Sequence, residues 1–490
     1  MNFNSKLKIV HVASEIDPFS KTGGLADVVR SLPKAQKKLG HQVTVITPLY
    51  RKIIDKKKHK LKLVAKDVEI ILNSKDKLKV NYYKGYLKRN LPVYFIEQKK
   101  FFSKRRTLYG SDRDNARFLV FNVAVLRLLK LLEFNSDIIH CHDWHTGLIP
   151  YYIKTKFHYA QGLQQAKTVY TIHNLAYQMG KSWWQVPRRY KDFGKTKLPR
   201  LDDKKIEYIN FAKRAILTAD IINTVSEQYA QEIRTKKFGQ DLNRILKNRG
   251  HKLFGIVNGI DYKHYNPATD LGLQKNYSYK NINGHKKANK LYLQKKFKLP
   301  QLKNTPLITM TSRIDIQKGF ELILKIGKQL MQLDLQFIII GAGDKEYIKQ
   351  LQKLAKKYPK KMVIIPSHDE CLKYETLIYA GGDMTLLPSS HEPCGLVQMK
   401  AMRYGCVPVV HKVGGLSDTV RDYGNGNQQG TGFVFDNFDS YELYGAIIRA
   451  LEVYKNKKEW KNIITTGMKE SNSWEIPAKT YIDLYKHALK

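Results

Sequence analysis

The stretch KIVHVASEIDPFSKTGGLADVV, residues 8–29, decides the fold of the N-terminal half of the chain. It begins as an apolar run typical of a buried strand, turns at Gly23 and Gly24, and continues with the spacing of a helix. Two glycines allow a close approach of backbone to a ligand, and the free N–H groups at the start of a helix suit an anion. Lys21 adds a positive charge, and Asp27 can accept hydrogen bonds from ligand hydroxyls or cap the turn. A purely structural turn explains the glycines equally well.

The same order of residues returns as KVGGLSDTV, residues 412–420, and strand and helix patterns alternate in both halves. In the first half the patterns are LKIVHVAS, LADVVRSLPKAQKKLG, HQVTVITPLY, SDIIHCHD, AKTVYTIHN and ADIINTVSE. In the second half they are PLITMTSR, GFELILKIGKQLMQL, LQFIIIGAGD, KKMVIIPSHDE, DMTLLPSS, LVQMKAMRYG and CVPVVHKVGG. Such alternation predicts parallel sheets with helices on both faces. The predicted fold class is α/β, with two doubly wound, Rossmann-like domains facing a central cleft, and ligands are expected at the carboxyl ends of the strands.

The length of 490 residues exceeds what one hydrophobic core usually serves, which favours two domains. We predict an N-terminal domain over residues 1–258 and a C-terminal domain over residues 304–472. Between them, residues 259–303 are rich in Asn, Gly and Lys and are predicted to form a linker or hinge. Residues 473–490 carry apolar side chains at helical spacing and are predicted to form a terminal helix.

The composition argues against several classes of protein. No apolar run approaches the ~20 residues needed to cross a bilayer, and the N-terminal segment lacks the apolar core of a signal peptide. A cytoplasmic protein without a membrane partner is therefore expected. The cysteines are few and include no CxxC pair, which argues against a disulfide framework and a structural zinc site. They are Cys141, Cys371, Cys394 and Cys406.

The formal charge of +43 suggests nucleic acid or an anionic surface as a partner. The lysines are nevertheless spread along the chain and alternate with apolar residues, as they do on the solvent faces of helices and strands. We therefore interpret the charge as a lysine-rich surface and expect no nucleic acid partner. A basic protein that binds nucleic acid or an anionic surface is the alternative.

Polar residues follow the predicted strands of the first half. The segment CHDWHTGL places Asp143 among three histidines, and His173 with Asn174 follows the next strand. The three histidines are His140, His142 and His145. They suggest a metal, but no compact second ligand group such as HExxH occurs, so we expect a polar wall or a substrate contact and no metal. For His173 and Asn174, a satisfied turn is the alternative to a site.

Charged residues follow the strands of the second half. Arg313 ends one strand, and Lys318 lies just before a helix, so two cations and a helix N-terminus can hold a diphosphate without metal. An ion pair between Arg313 and Asp315 is the alternative. Glu392 precedes a Pro-Cys-Gly turn and a helix, where an anion is stabilised and can bridge sugar hydroxyls.

Taken together, these segments resemble bacterial glycogen synthases and plant starch synthases, a family of retaining glycosyltransferases with the GT-B fold. The matching segments follow the family order nearly from end to end: KTGGLADVV, DNARF, HDWHTGL, TIHNLAYQ, VNGID, SRIDIQKG, GAGD, PSSHEPCGL and GGLSDTV. The resemblance implies a hexosyltransferase that moves glucose from ADP-glucose to the non-reducing 4-hydroxyl of an α-1,4-glucan and retains the anomeric configuration. The implied partners are ADP-glucose and glycogen or another α-1,4-glucan primer, with no cofactor or metal.

In the N-terminal half, the resemblance implies that Lys21 and the glycine turn hold the distal phosphate and the acceptor side of the donor, with Asp27 alongside. Asp143, His173 and Asn174 resemble glucose-contacting residues, with the backbone carbonyl of His173 beside the anomeric carbon. The family's terminal helix packs back on the N-terminal domain, and residues 473–490 are expected to do the same.

In the C-terminal half, the resemblance implies that Arg313 and Lys318 neutralise the leaving diphosphate while Glu392 binds sugar hydroxyls. The catalytic residues predicted in this way are His173, Asn174, Arg313, Lys318 and Glu392. The further substrate-binding residues that the resemblance implies are Gly23, Gly24, Asn258, Cys394, Gly395 and Leu396.

Two segments depart from the family pattern. Met179 precedes Gly180 in HNLAYQMG, and SWWQVPRRY follows in a region that usually shapes the cleft wall. The segment PSHDECLKYETLIYAGGD is slightly longer than usual, and Ser367 or His368 replaces an aromatic residue near the nucleotide base. A related glucosyltransferase that uses UDP-glucose or another acceptor is therefore the alternative.

Overall fold

The computed structural model describes residues 6–73, 75–103, 106–157, 159–160, 162–424 and 429–490. The chain divides into two compact units. Unit 1 is Met1–Asn258 with Trp474–Lys490, and unit 2 is Gly259–Ser473.

The sheet of unit 1 has nine strands among the described residues, in the order β3-β4-β5-β2-β1-β6-β7-β8-β9. The strands are β1 (Lys8–Val12), β2 (Gln42–Pro48), β3 (Lys62–Ile71), β4 (Lys77–Leu87), β5 (Leu91–Glu97), β6 (Ile138–His142), β7 (Lys167–Ile172), β8 (Ile221–Thr224) and β9 (Leu253–Gly255). From β5 to β9 all neighbours are parallel, which confirms the predicted α/β class.

One edge of this sheet is antiparallel, contrary to the expectation of a purely parallel sheet. Strands β4 and β5 are joined by only three residues, Lys88–Asn90. Such a short connection permits a hairpin and excludes the crossover that a parallel pair needs. The edge strand β3 is largely exposed and carries Lys62 and Lys66, whose charges discourage pairing with a further strand.

Helices connect the parallel strands of unit 1. They are α1 (Gly24–Lys38), α2 (Asp114–Leu131), α3 (Leu148–Thr155), α4 (Phe211–Thr218), α5 (Glu227–Glu232) and α6 (Asn243–Asn248). In α1, the buried positions Leu25, Val28, Val29 and Leu32 recur at helical spacing, and they join the core of the sheet.

The sheet of unit 2 is parallel throughout its described strands, in the order β12-β11-β10-β13-β14-β15. The strands are β10 (Leu307–Thr311), β11 (Gln336–Ile340), β12 (Met362–Ile365), β13 (Met384–Leu387), β14 (Val407–His411) and β15 (Phe433–Phe435). Its helices are α7 (Ile282–Lys296), α8 (Phe320–Gln332), α9 (Lys345–Lys357), α10 (His368–Gly381), α11 (Val397–Arg403), α12 (Gly414–Thr419), α13 (Ser440–Lys455) and α14 (Lys457–Lys469).

The segment that its composition predicts to be a linker, residues 259–303, lies within unit 2 and contains α7. Two of its lysines are buried rather than solvated. Lys286 Nζ donates to the carbonyl of Tyr379 at 2.9 Å, and Lys290 Nζ pairs with Asp383 at 2.6 Å. Hydrogen bonds to these partners allow a polar sequence to pack inside a domain.

The last helix, α15 (Glu475–Leu489), returns to unit 1. Its buried side chains join the core, and its tyrosines reach the sheet: Tyr485 bonds to His140 of β6, and Tyr481 accepts from Asn223 of β8. None of the helices in the described ranges is long and apolar enough to cross a membrane. All four cysteines are free thiols.

Candidate active site

Asp143 and His173 meet at the carboxyl ends of β6 and β7. The two strands are parallel neighbours, and their register pairs His142 with Thr171. The residues that follow each strand therefore come together, and the N–H of His173 donates to Oδ1 of Asp143 at 2.8 Å. The N–H of Asn174 also donates to Asp143, whereas its side-chain Oδ1 accepts from the N–H of Ala176 at 3.0 Å.

Asp143 has an unusual backbone conformation and a raised carboxyl pKa. Its φ of 57° lies in the left-handed region, which few residues other than glycine adopt and which is concentrated at functional sites. Desolvation raises the pKa of its carboxyl to about 7, against the opposing effect of hydrogen bonds from the N–H groups of His173 and Asn174. Near neutral pH this carboxyl is therefore available in both protonation states.

Several histidines pack beside Asp143, and His142 is hydrogen-bonded to His11 and His173. His140 and His142 are fully buried and stack with ring centroids 4.1 Å apart, whereas His145 packs against Phe118 at 4.6 Å. Together with His11, His140 and His142 bring possible metal-ligand atoms within 4.8 Å of one another. Each ring nitrogen of these three already lies within 3.0 Å of a hydrogen-bonding partner. A metal ion would have to displace those bonds, so the arrangement favours a polar network.

The first glycine turn is open. Helix α1 begins at Gly24, and Gly23 has an extended backbone, with φ −155°, that any residue can adopt. A Cβ atom placed on Gly23 would meet nothing within 4 Å. Beside the turn, Lys21 Nζ lies 2.6 Å from Oδ1 of Asp27, and the two side chains are 34% and 22% exposed. Both predicted residues are thus accessible and neutralise each other.

Glu15 links this turn to Asp143, and the sequence reasoning missed it. Its side chain is buried, and Oε2 accepts from the N–H of Thr22 at 2.6 Å and from the hydroxyl of Thr22 at 2.8 Å. Desolvation raises the pKa of Glu15 to about 7, with a further contribution from the charge of Asp27, and the charge of Glu15 in turn raises the pKa of Asp143. An acid between a strand end and a glycine turn is the signal that the sequence offered.

We call Glu15, Lys21, Asp27, Asp143 and His173 the unit 1 cluster. Asn258 is not hydrogen-bonded to any of them in the part of unit 1 that the structure describes. It is 5% exposed, and its buried Oδ1 has no hydrogen-bond partner among the described residues. Such an atom normally finds a partner, and a bound ligand would supply one.

In unit 2, Lys318 and Glu392 meet at the carboxyl ends of the neighbouring strands β10 and β13. Lys318 Nζ lies 2.6 Å from Oε2 of Glu392, and the hydroxyl of Ser389 donates to the same oxygen at 3.0 Å. The Lys318 and Glu392 side chains are 17% and 11% exposed. Arg313 instead pairs with Asp315 at 3.1 Å, which is the ion pair that the sequence offered as the alternative, and it is 55% exposed.

Gly319 explains how Lys318 reaches Glu392. Its φ of 72° is left-handed, and a Cβ atom there would lie 2.0 Å from the carbonyl oxygen of Pro388. Glycine therefore allows the start of α8 to pack against the segment that follows β13. That packing places Lys318 beside Ser389 and Glu392, and we call these three residues the unit 2 cluster.

The remaining predicted residues of unit 2 form the turn after Glu392. Gly395 has φ 70°, and the carbonyl of Cys394, a buried residue, accepts from Gln398 at 3.0 Å. Gly395 and Leu396 line a cavity of about 50 Å³ together with Lys318 and Glu392. The structure thus brings the predicted residues of this turn together with the unit 2 cluster.

The two departures from the family pattern have local explanations. Met179 is buried with Trp183 and Val186 in a small apolar cluster of its own. Ser367 caps α10, because its hydroxyl accepts from the N–H of Glu370 at 3.2 Å. Neither residue belongs to the unit 1 or the unit 2 cluster.

Comparison with known proteins assigns both units. The model of the starch synthase catalytic domain matches residues 8–248, and the model of glycosyl transferases group 1 matches residues 293–466. A glycogen synthase from Thermosipho melanesiensis is 39% identical over 487 residues, which are 99% of each chain. A glycogen synthase from Pseudothermotoga lettingae is 40% identical over 492 residues, again 99% of each chain.

The same likeness holds among solved structures. The catalytic domain of starch synthase IV from Arabidopsis thaliana, bound to ADP and acarbose, superimposes with a TM-score of 0.87 at 32% identity, covering 99% of this chain and 100% of that one. This match in fold confirms the prediction of two doubly wound α/β domains.

Proposed function

The chain belongs to the family of bacterial glycogen synthases and plant starch synthases, and we propose that it transfers glucose from ADP-glucose to the non-reducing 4-hydroxyl of an α-1,4-glucan with retention of anomeric configuration. The observation that carries the proposal is the Lys318–Glu392 pair at the strand ends of the unit that matches the glycosyltransferase model. The ADP and acarbose bound to the Arabidopsis relative support an adenine nucleotide and a sugar ligand.

Lys318 is proposed to stabilise the leaving diphosphate. Its ammonium group has three donors, of which Glu392 takes one, so the others are available to phosphate oxygens. As the glycosidic C–O bond breaks, negative charge grows on the diphosphate, and a cation already in place lowers the barrier. Arg313 is exposed and, among the residues that the structure describes, pairs with Asp315 and Gln317 of its own turn, and it is proposed to add a second cation when the donor binds.

Glu392 is proposed to bind sugar hydroxyls rather than to attack the sugar. Its Oε2 is occupied by Lys318 and Ser389, whereas Oε1 has no protein donor in the described part of unit 2. A carboxylate oxygen held in this way accepts a hydrogen bond from a sugar hydroxyl and orients the ring. On this proposal no divalent metal is needed, because Lys318 and Arg313 supply the positive charge.

Transfer of labelled glucose to added glycogen tests the proposal. We expect incorporation from ADP-glucose in excess of UDP-glucose, at a rate that EDTA does not change. Lys318→Ala should lower kcat by roughly a hundredfold or more, since one preorganised donor contributes about that much. Lys325→Ala is the matched control, because Lys325 is an exposed lysine on the adjacent helix α8 and should leave the rate unchanged.

Absence of transfer from both donors would overturn the proposed function. A preference for UDP-glucose would instead establish the alternative donor. Equal rates for Lys318→Ala and Lys325→Ala, with transfer intact, would overturn the role of Lys318 alone.

A further inference from the structure

A chain of hydrogen bonds runs through unit 1 from the C-terminal helix to His173. The hydroxyl of Tyr485 accepts from Nε2 of Gln36 at 3.1 Å, and Oε1 of Gln36 faces Nε2 of His11 at 2.7 Å. Nδ1 of His11 lies 3.0 Å from Nε2 of His142, and Nδ1 of His142 lies 3.0 Å from Nε2 of His173. We call these five residues the histidine relay. The first four are fully buried, and His173 is half-buried at the strand end.

The three imidazoles of the relay are neutral at pH 7. Burial lowers the pKa of His11 to about 4 and that of His173 to about 3, and it holds the pKa of His142 well below its usual range. A neutral imidazole carries one proton, so it donates through one nitrogen and accepts through the other. In a chain of such rings, the proton position on one ring determines the position on the next.

The direction of the chain follows from Gln36. Its Oε1 can only accept, so the proton of His11 lies on Nε2 and its Nδ1 accepts. Nε2 of His142 must then donate to His11, which leaves Nδ1 of His142 as an acceptor. His173 must in turn donate through Nε2, and its own Nδ1 carries no proton.

Tyr485 contacts the amide nitrogen of Gln36. Its hydroxyl accepts a hydrogen bond from the amide of Gln36. The same hydroxyl lies 2.6 Å from Nδ1 of His140 and, in this arrangement, donates a hydrogen bond to it. Nε2 of His140 is engaged with the hydroxyl of Thr171 at 2.6 Å. Reversing the amide would keep the same partners but would move the proton of every ring in the relay to its other nitrogen, so the orientation of Gln36, which α15 contacts through Tyr485, sets the proton positions of the relay.

We propose that Gln36 and Tyr485 are positioning residues that hold His173 in the Nε2–H tautomer, so that its Nδ1 accepts a hydrogen bond from a hydroxyl of the transferred glucose. The identity of the ligand rests on the proposed function, whereas the tautomer does not. No protein donor meets Nδ1 of His173 among the residues that the structure describes. A sugar hydroxyl supplies the O–H that this atom needs, and an Nδ1–H tautomer would offer a donor in its place.

Nuclear magnetic resonance of the full-length protein labelled with ¹⁵N-histidine tests the tautomer directly. At pH 7, long-range ¹H–¹⁵N correlations should show the proton on Nε2 of His11, His142 and His173. Tyr485→Phe removes the hydroxyl that anchors Gln36, and His173 should then populate both tautomers. A proton on Nδ1 of His173 in the unchanged protein, or an unchanged His173 in Tyr485→Phe, would overturn the inference.

Tyr481→Phe is the matched control. Tyr481 lies one turn earlier on α15, is equally buried, and accepts from Asn223 at 2.8 Å outside the relay. The Tyr481→Phe variant should leave the tautomer of His173 unchanged.

If Tyr485→Phe does not fold, Gln36→Met and Gln36→Glu replace it. The first removes the acceptor for His11, and the second keeps one. Mixed tautomers in Gln36→Met and a single Nε2–H tautomer in Gln36→Glu are expected, and no difference between them would contradict the relay.

Kinetics with donors that each lack one glucose hydroxyl test the sugar contact. One member of the series should lose roughly five- to tenfold in kcat/KM with the unchanged protein, the range of a single hydrogen bond. With the complete donor, Tyr485→Phe should lower kcat/KM by a similar factor. With that one analogue, the same substitution should lower kcat/KM little further, because the contact is already missing. An equal loss with Tyr485→Phe on every analogue would overturn the contact. Absence of transfer from every donor would overturn the proposed function, while the tautomer measurement would still decide the relay.

Discussion

The two glycine turns, residues 21–29 in unit 1 and 412–420 in unit 2, share most of their letters and differ in their surroundings. A Cβ atom on Gly23 would meet nothing within 4 Å, whereas one on Gly415 would lie 2.1 Å from the carbonyl oxygen of Cys394. The N–H of Gly415 also donates to the carbonyl of Glu392 at 3.0 Å. Glycine at Gly415 is required by packing, and glycine at Gly23 is not.

The charged residues of the two turns differ in the same way. Lys21 lies beside Glu15 and Asp27 in the unit 1 cluster, with its side chain 34% exposed. Lys412 pairs with Asp436 at 2.9 Å, and its side chain is 59% exposed. One sequence pattern therefore has two physical causes: in unit 2 it lets the turn pack against the segment that holds Glu392, and in unit 1 it leaves bare backbone next to a charged cluster. The bare backbone of the turn in unit 1 is explained by the proposal that a ligand binds there.

The largest expected difference between the turns is in stability. Gly415→Ala forces a methyl group into backbone atoms of Cys394 that cannot rotate away, so the free energy of unfolding should fall by about 3 kcal/mol. In Gly23→Ala the added methyl group lies in open space on an extended backbone, so the free energy of unfolding should change by ~1 kcal/mol or less. Denaturant unfolding of both variants measures the difference. Equal losses would show that both turns are built for packing.

The second difference is in catalysis. Lys21→Ala should lower kcat/KM for glucose transfer by roughly thirtyfold, since a hydrogen bond from a charged group to the donor contributes about 2 kcal/mol. Lys412→Ala breaks only an exposed ion pair and should leave the rate within a factor of about two. Initial rates at matched folded concentrations measure both. A loss in Lys412→Ala as large as that in Lys21→Ala would break the distinction between the turns.

The repeated strands and helices could be predicted from the sequence because each has a strong local signal. The strands before Arg313 and Asp143 are short apolar runs, and their parallel order follows from the helices between them. The antiparallel edge formed by β3, β4 and β5 was missed, because the sequence of β3 and β4 is lysine-rich like an exposed surface and the pairing of β4 with β5 depends on a three-residue connection. The burial of Lys286 and Lys290 was missed for a related reason: their partners lie about a hundred residues away in the sequence.

The candidate site was predictable only in part. Strand ends indicate where Asp143, His173, Lys318 and Glu392 lie, but not which groups pair. Lys318 is expected on a diphosphate and Glu392 on a sugar, and in the structure the two side chains also pair with each other. The position of Glu15 between a strand end and a glycine turn is a weak signal, and its importance appears only when its burial and its contact with Thr22 are known.

The smallest expected difference between the turns is their response to pH. Glu15 holds the first turn through the N–H and hydroxyl of Thr22, whereas the second turn is held by the backbone carbonyl of Glu392. Burial raises the pKa of Glu15 from 4.5 to about 7, so the folded state binds its proton more tightly than the unfolded state does. Its contribution to stability is therefore complete below pH 4.5 and is lost as the pH rises towards 7.

Glu15→Gln should remove this dependence without removing an oxygen acceptor for Thr22. Between pH 6 and pH 7 the unchanged protein should lose about 1 kcal/mol of unfolding free energy more than the variant, because over that interval the unfolded carboxyl is ionised while the folded one is still titrating. Denaturant unfolding at the two pH values measures it. The charge of Glu15 also contributes to the raised pKa of Asp143, so its removal lowers that pKa and changes the pH dependence of the variant in the same direction. Parallel pH profiles would mean that Glu15 is already ionised at pH 6, which leaves both turns equally insensitive to pH.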